Sequence, residues 1–179
     1  MCETSIRRGE SVNIPVEIER KFVIEMPDLA VISALEGYSS SEILQTYLET
    51  SKHLTHRVRA RAIAGGAVYT ETKKIRIDKM SVYEDERVIS ADEYSALVKT
   101  AAPGTVTIRK TRHSFEYLGN VIEIDVYPEW ERSCILEVEL SSREQKVELP
   151  DFITVVAEVT GDKKYSNASM SREFPKELI

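Results

Sequence analysis

Charged side chains two residues apart recur along this chain, and their signs are sorted. Acidic pairs stand at Glu17/Glu19, Glu84/Glu86, Glu123/Asp125 and Glu137/Glu139; basic sets stand at Arg57/Arg59/Arg61 and Lys110/Arg112, with Lys21 and Lys74 single. In a β-strand, residues two apart share a face. The residues interleaved with the acidic pairs are apolar: Ile122, Ile124 and Val126 in one strand, Leu136, Val138 and Leu140 in another. One such pair describes the solvated side of a half-buried sheet. The whole set does not, because a solvated face mixes its signs to avoid like-charge repulsion. Sorted carboxylates call for a hard divalent cation, and oxygen-only ligands favour Mg²⁺ or Mn²⁺. Sorted Arg and Lys call for phosphate or carboxylate oxygens, Arg being suited to bidentate contact. A phosphate chain carrying a metal ion meets both demands.

The elements that must hold these groups are mostly strands. Alternation predicts strands at Ile14–Glu25, Glu42–Glu49, Leu54–Ile63, Val68–Ile75, Val82–Ile89, Thr105–Tyr117, Val121–Tyr127 and Cys134–Leu140. Two helices are expected. One is Leu29–Glu36, with Pro27 at its first position and Gly37 as its C-cap. The other follows the capping box Ser90-Ala-Asp-Glu93 and runs through Ala101, burying Tyr94, Leu97, Val98 and Ala101. A third, short helix is placed at Ser142–Glu148. Many strands with few helices predict an antiparallel α+β domain, a closed or nearly closed barrel. If the charged faces point inward, the apolar faces point outward and the helices must cover them.

Bulk properties narrow the function class. A chain of 179 residues with 42% hydrophobic and 30% charged residues has the makings of one globular domain. Residues 1–12 read as an N-terminal arm and 13–179 as a single domain. No apolar run reaches the roughly 20 residues of a membrane span, and Met1–Ser11 has no apolar signal core. No membrane partner and a cytoplasmic location are therefore expected. Cys2 and Cys134 form neither a disulfide framework nor a zinc site. The net charge of −6 argues against general nucleic-acid binding. Gly65-Gly66 is a hairpin turn rather than a phosphate loop. His53 and His56 fall on opposite strand faces, and Tyr127 and Trp130 near Pro128 read as packing.

The order of the motifs resembles the CYTH family, also called triphosphate tunnel metalloenzymes. Its Glu-x-Glu-x-Lys signature is present as Glu17-Ile-Glu19-Arg-Lys21. Arg57-Val-Arg59 is similar to its paired arginines and Thr72-Lys-Lys74 to its Thr-x-Lys strand, Lys74 being preferred to Lys73 because it shares a face with Thr72. Glu84-Asp-Glu86, Lys110-Thr-Arg112, Glu123-Ile-Asp125 and Glu137-Val-Glu139 follow in order. Glu158 to Asn167 resembles the C-terminal block, with Lys164 where arginine is frequent, and Val82 departs from a commonly basic position. The resemblance spans about residues 14–170.

It implies a closed, eight-stranded antiparallel tunnel with a charged interior and outer covering helices. It also implies a metal-dependent triphosphatase. Glu17, Glu19, Glu137 and Glu139 are assigned to the Mg²⁺ or Mn²⁺ side, directly or through water. Lys21, Arg57, Arg59, Lys74, Lys110 and Arg112 are assigned to the triphosphate. Glu84, Glu86, Glu123 and Asp125 support them by completing metal binding, orienting cations or positioning water. Attack by metal-held water is the expected chemistry. Lys21 is a candidate base on the condition that nearby cations lower its pKa, assisted by Tyr47. Inorganic tripolyphosphate is the first choice of substrate, since no pocket for an organic group stands out. A thiamine or nucleoside triphosphatase, an adenylate cyclase and a polyphosphate- or nucleotide-binding module remain open, as does a homodimer.

Overall fold

The computed structural model describes residues 16–51 and 54–179; the expected arm at 1–12, the start of the first strand at Ile14, and His53 lie outside them. In β1 (Val16–Glu25), Phe22 and Ile24 are buried outside the barrel wall, while Glu17, Glu19 and Lys21 line a cavity on the other side. The other barrel strands are β2 (Ser39–Tyr47), β3 (Leu54–Ile63), β4 (Gly66–Arg76), β5 (Ser81–Ile89), β6 (Ile108–Tyr117), β7 (Asn120–Val126) and β8 (Ser133–Glu139); charged side chains of β3 to β8 line the same cavity, whereas β2 lends it Tyr47. These eight strands are antiparallel, in the order β5-β4-β3-β2-β6-β7-β8-β1. Val16↔Tyr83, Glu17↔Val82 and Ile18↔Ser81 join β1 back to β5 and close the ring. A ninth strand, β9 (Val155–Glu158), lies on the same edge of β1 further along, at Phe22–Ile24. The fold is α+β, a closed barrel with few helices.

The outward apolar faces are covered as the inversion requires. α1 (Leu29–Ser33) sets Ile32 against Phe22, Phe115, Ile122, Ile124, Leu136 and Val138. α2 (Ala91–Val98) lays Tyr94, Leu97 and Val98 over Leu48, Val58 and Ile89. Removing each such side chain from water contributes about 1.5–3 kcal/mol. Among the described residues, no helix is long and apolar enough to cross a membrane.

Several expected boundaries moved. α1 ends at Ser33 rather than Glu36, and its first turn is capped by the Asp28 carboxylate, which accepts from Ala30 N–H at 2.8 Å. Pro27 therefore precedes the cap. Beyond α1 the chain unwinds through turns, and Gly37, at φ +70°, reverses it into β2. α2 stops at Val98, and Ala101 is exposed, bridging Leu48 instead of continuing the stripe. No helix forms at Ser142–Glu148. There the Gln145 side chain accepts from both Ser141 N–H (2.7 Å) and Ser141 Oγ (2.8 Å), which offers a turn in place of helical bonds. β2 begins at Ser39 because Ser39–Ser41 pair with Arg112–Ser114, an edge that outweighs the low strand preference of serine.

The interior is not charged throughout. Val23, Ile108, Tyr127 and Ile135 share the inward faces of β1, β6, β7 and β8 but lie one step beyond Lys21, Lys110, Asp125 and Glu137. A C-terminal cap packs on them: a 3₁₀ turn at Lys163–Tyr165 and α3 (Asn167–Met170) bring Val159, Tyr165, Met170 and Phe174 against Trp130 and Tyr127. That part of the barrel is filled. The charged part remains open as a cavity of about 630 Å³.

Candidate active site

The barrel strands divide into four adjacent pairs around the cavity, and each pair carries its own charge balance. β1 and β8 point Glu17, Glu19, Glu137 and Glu139 inward against one cation, Lys21. β2 and β3, on the far side of the ring, point in Arg57, Arg59 and Arg61 beside uncharged Ser41, Ile43, Gln45 and Tyr47. Between them, β4 and β5 match Lys74 and Arg76 with Glu84 and Glu86. β6 and β7 match Lys110 and Arg112 with Glu123 and Asp125. The acidic excess of one wall equals the basic excess of the other.

The balanced pairs are knitted together. Arg112 donates to both oxygens of Asp125 at 2.7 Å, to Glu137 Oε2 at 2.8 Å, and also to Glu123. Lys110 is fully buried and pairs with Asp125. Burial and Arg112 lower its pKa to about 8, with Asp125 opposing. Lys74 bridges Glu17 (2.6 Å) and Glu84, and Thr72 Oγ1 donates to Glu86 at 2.7 Å. Lys74 therefore faces the cavity, while Lys73 lies outside beside Glu71, as their faces require.

The basic wall is different. Among the described residues, Arg59 donates only to a neutral oxygen, Gln45 Oε1, at 3.1 and 3.3 Å. Burial, then Arg57 and Arg112, lowers its pKa to about 10. Among the described residues, Arg57 has one distant carboxylate, Glu84 at 3.6 Å, and its buried Nε has no hydrogen-bond partner. Arg61 Nε donates to Ser41 Oγ at 3.0 Å. Guanidinium donors without anionic partners in a cavity are placed to receive anionic oxygens.

The acidic wall is strained in the opposite sense. Burial and then Glu137 push the Glu19 carboxyl above its ordinary range. Burial and Glu84 do the same to Glu17, and burial followed by Glu17, Glu123 and Glu19 does so to Glu139. Glu137 is the exception. Burial raises it, but Lys21, Arg112 and Lys110 outweigh that and hold it well below the usual carboxylate range. Glu137 thus belongs with the paired groups, as Glu17 does through Lys74, and the least compensated carboxylates are Glu19, 3.5 Å from Lys21, and Glu139. Hard oxygen donors whose own repulsion disfavours their ionised forms fit a divalent cation. As they stand, no three Asp, Glu, His or Cys side chains among the described residues converge as a ligand set, since Glu17 leans to Lys74 and Glu137 to Lys21.

Lys21 does not meet the condition attached to it as a base. Its neighbours are carboxylates, Glu137 at 2.7 Å and Glu19 at 3.5 Å. Burial lowers its pKa, but Glu137 and Glu19 raise it further, so Lys21 is a cation here. Tyr47 is buried, its hydroxyl accepts from Gln45 Nε2 at 2.7 Å, and burial raises its pKa despite Arg57.

Several cavity residues lay outside the predicted set. Behind the lining, Gln45 is fully buried on the same face as Tyr47, and a neutral side chain gave no charge signal. Arg76 follows Lys74 on the same face. Lys163 and Ser166–Ser169 line the cavity from the cap, whereas Lys164 turns to the Tyr165 ring. Asn167 Oδ1 accepts from Tyr127 hydroxyl at 2.8 Å, tying the cap to the barrel.

No family model and no curated protein matches this chain, but solved structures do. It is similar to the inorganic triphosphatase NE1496, at 27% identity over 89% of this chain and 97% of the other, with a TM-score of 0.58. Two archaeal proteins share the fold at lower identity. PH1819 from Pyrococcus horikoshii OT3 is 21% identical over 72% of this chain and 80% of its own, TM-score 0.54. A conserved hypothetical protein from Pyrococcus furiosus is 20% identical over the same shares, TM-score 0.55. The closed eight-stranded barrel is shared with the inorganic triphosphatase NE1496 and is consistent with the triphosphate tunnel fold that the strand motifs imply.

Proposed function

We propose that this chain hydrolyses triphosphates, inorganic tripolyphosphate first among them, with Mg²⁺ or Mn²⁺ as cofactor, in the cytoplasm. One observation carries the reading: two walls of a single cavity have opposite, unneutralised charge. A polyanion with a bound cation is the ligand that satisfies both. The likeness to a named inorganic triphosphatase supports it.

Arg57, Arg59 and Arg61 hold the phosphate oxygens, with Lys74 and Lys21 at the border of the two walls. Glu19, Glu139 and Glu17 would hold the metal, which when bound would supply Lewis acidity and activate water as the nucleophile. Lys110, Arg112, Asp125 and Glu137 act as the frame. Their mutual bonds fix the cavity wall before substrate arrives, so that little reorganisation accompanies reaction. Lys21 serves as a cation, countering charge on the phosphate chain as a P–O–P bridge breaks and water oxygen bonds to phosphorus. The cap excludes water from the filled part of the barrel.

Phosphate and pyrophosphate release, measured over tripolyphosphate, thiamine triphosphate and ATP with each metal, tests the proposal. Equal amounts of the two products from tripolyphosphate are expected. Cyclic AMP with pyrophosphate from ATP would reassign the site to a cyclase, and tight binding without any product would reassign it to a binding module.

A further inference from the structure

β1 carries Glu17, Glu19 and Lys21, and one of its edges is interrupted where they lie. On that edge β5 pairs with Val16–Ile18 and β9 with Phe22–Ile24, so no strand pairs with the stretch between. Two loops fill the gap. From the β4–β5 hairpin, Met80 O accepts from Glu19 N–H at 3.1 Å. From the loop after β9, Thr160 Oγ1 accepts from Lys21 N–H at 3.0 Å, and Val159 N–H donates to Lys21 O at 2.8 Å. Arg20, facing outward between them, forks onto Glu158 at 2.7 and 2.9 Å, and the Thr160 hydroxyl donates to the same carboxylate at 2.8 Å.

The two loops lock against each other at one point. Gly161 has φ +74°, and a Cβ there would lie 2.8 Å from Lys79 Cβ and 2.9 Å from Lys79 O. The obstacle is backbone, not the end of a flexible side chain. The hairpin cannot yield easily, because the Asp78 carboxylate accepts from Met80 and Ser81 N–H at 2.9 and 3.1 Å and pairs with Arg143. Between the loops a space of about 30 Å³ remains, bordered by Glu19, Lys21, Arg76 and Asp162. That is room for water and nothing larger.

We propose that the Val159–Asp162 loop is a positioning element for the acidic wall. Thr160 fixes the backbone of Lys21, and Gly161 sets the loop's register against the hairpin that fixes Glu19. This rests on the proposed function: its activity readout on triphosphate hydrolysis, and its binding readout on the metal assignment of the acidic wall. Val159 alone anchors the loop in the apolar cluster. A merely structural loop would use that anchor and would have no need of the Thr160 hydroxyl.

The test compares wild type with Thr160→Val, Thr160→Ser and Gly161→Ala. It measures kcat and KM for tripolyphosphate, Mn²⁺ affinity by calorimetry without substrate, and melting temperature. In Thr160→Val, kcat should fall on the order of 10- to 100-fold, as for small misplacements near reacting groups. Its KM should change by less than about threefold, because the basic wall lies across the cavity and sets phosphate contact. Mn²⁺ affinity should weaken in Thr160→Val and in Gly161→Ala, and Thr160→Ser should restore wild-type values. Wild-type kcat and Mn²⁺ affinity in folded Thr160→Val would overturn the proposal. So would losses in both variants that only track the folded fraction. If wild type itself turns over no triphosphate, the proposed function fails. The loop is then judged on Mn²⁺ affinity alone: weakened binding in Thr160→Val sustains it, and unchanged binding overturns it.

Discussion

The β6–β7 wall and the β2–β3 wall are neighbours in one barrel, and both bury arginines, yet they use them in opposite ways. Arg112 spends its donors on Asp125, Glu123 and Glu137, whereas Arg59 has only Gln45 and Arg57 leaves Nε without a partner. A buried cation with satisfied donors is a structural member. One held by neutral oxygens, with its pKa depressed, is stabilised less than it would be by an anion and waits for one. The difference teaches how to separate frame from function in a cavity where every residue is charged: the question is which charges the protein itself neutralises. On that criterion β6–β7 is frame, and the proposal assigns phosphate to β2–β3 and metal to β1–β8.

The comparison breaks most visibly at Asp125. Asp125→Ala leaves Lys110 and Arg112 buried without their main partner, and should destabilise the protein by about 3–5 kcal/mol. Chemical denaturation with and without tripolyphosphate checks this. Little loss of stability would mean that β6–β7 is not the frame. Arg57→Ala should do the reverse. Substrate use should weaken by about 2–5 kcal/mol in kcat/KM, while the melting temperature holds or rises, since Arg57 and Arg59 repel each other.

Glu19→Gln sharpens the comparison on the acidic side. It keeps size and hydrogen-bonding capacity but removes one metal-side charge. Turnover should fall by about 10²–10³-fold, the range for losing one transition-state stabiliser, and the Mn²⁺ concentration for half activity should rise. Metal-free stability should stay level or increase. In excess chelator, wild-type activity should vanish.

The smallest effect is a pH dependence. Glu139 binds its proton more tightly folded than unfolded, because burial and Glu17 raise its pKa above 4.5. Its ionisation therefore subtracts stability as pH rises from about 4.5 through the raised value. Glu139→Gln should melt above wild type near pH 8 without metal and equal to it near pH 4. Glu137 has the opposite sign, since its pKa is depressed. Its contribution is present above about 4.5 and disappears as pH falls through the lower value. A Glu139→Gln protein less stable than wild type near pH 8 would place Glu139 among the paired groups.

Much of this was legible in the chain because strand period is two and charge is conspicuous. Lys21, Arg57, Arg59, Lys74, Lys110 and Arg112 are brought to one cavity with the acidic pairs, except that Asp125 is fully buried beside Lys110 and Arg112 rather than lining it. The choice of Lys74 over Lys73 followed from its face alone. The filled end of the barrel was also written there, in Lys21 to Val23, Asp125 to Tyr127, Lys110 to Ile108 and Glu137 to Ile135. It shows only when alternate strands are read in opposite directions, which requires the topology. The division of labour among the carboxylates was not legible. Glu137 and Glu139 have the same chemistry and spacing, and what separates them is the register that sets Lys21 of β1 opposite Glu137 and the reach of Arg112 from β6. The segment Ser141–Ile153 has only a weak periodicity, so the helix expected at Ser142–Glu148 proved to be turns held by Gln145, and β9 beyond it carries no alternating charge to mark it.

The central claim is that the two opposed walls bind different partners, and separate titrations of wild type, Glu19→Gln and Arg57→Ala test it most directly. Mn²⁺ alone and tripolyphosphate alone are each followed by calorimetry. Glu19→Gln should lose Mn²⁺ affinity and keep or gain affinity for metal-free tripolyphosphate, while Arg57→Ala should lose tripolyphosphate affinity and keep Mn²⁺ binding. Equal losses of both ligands in both folded variants, or the reverse pattern, would contradict the account.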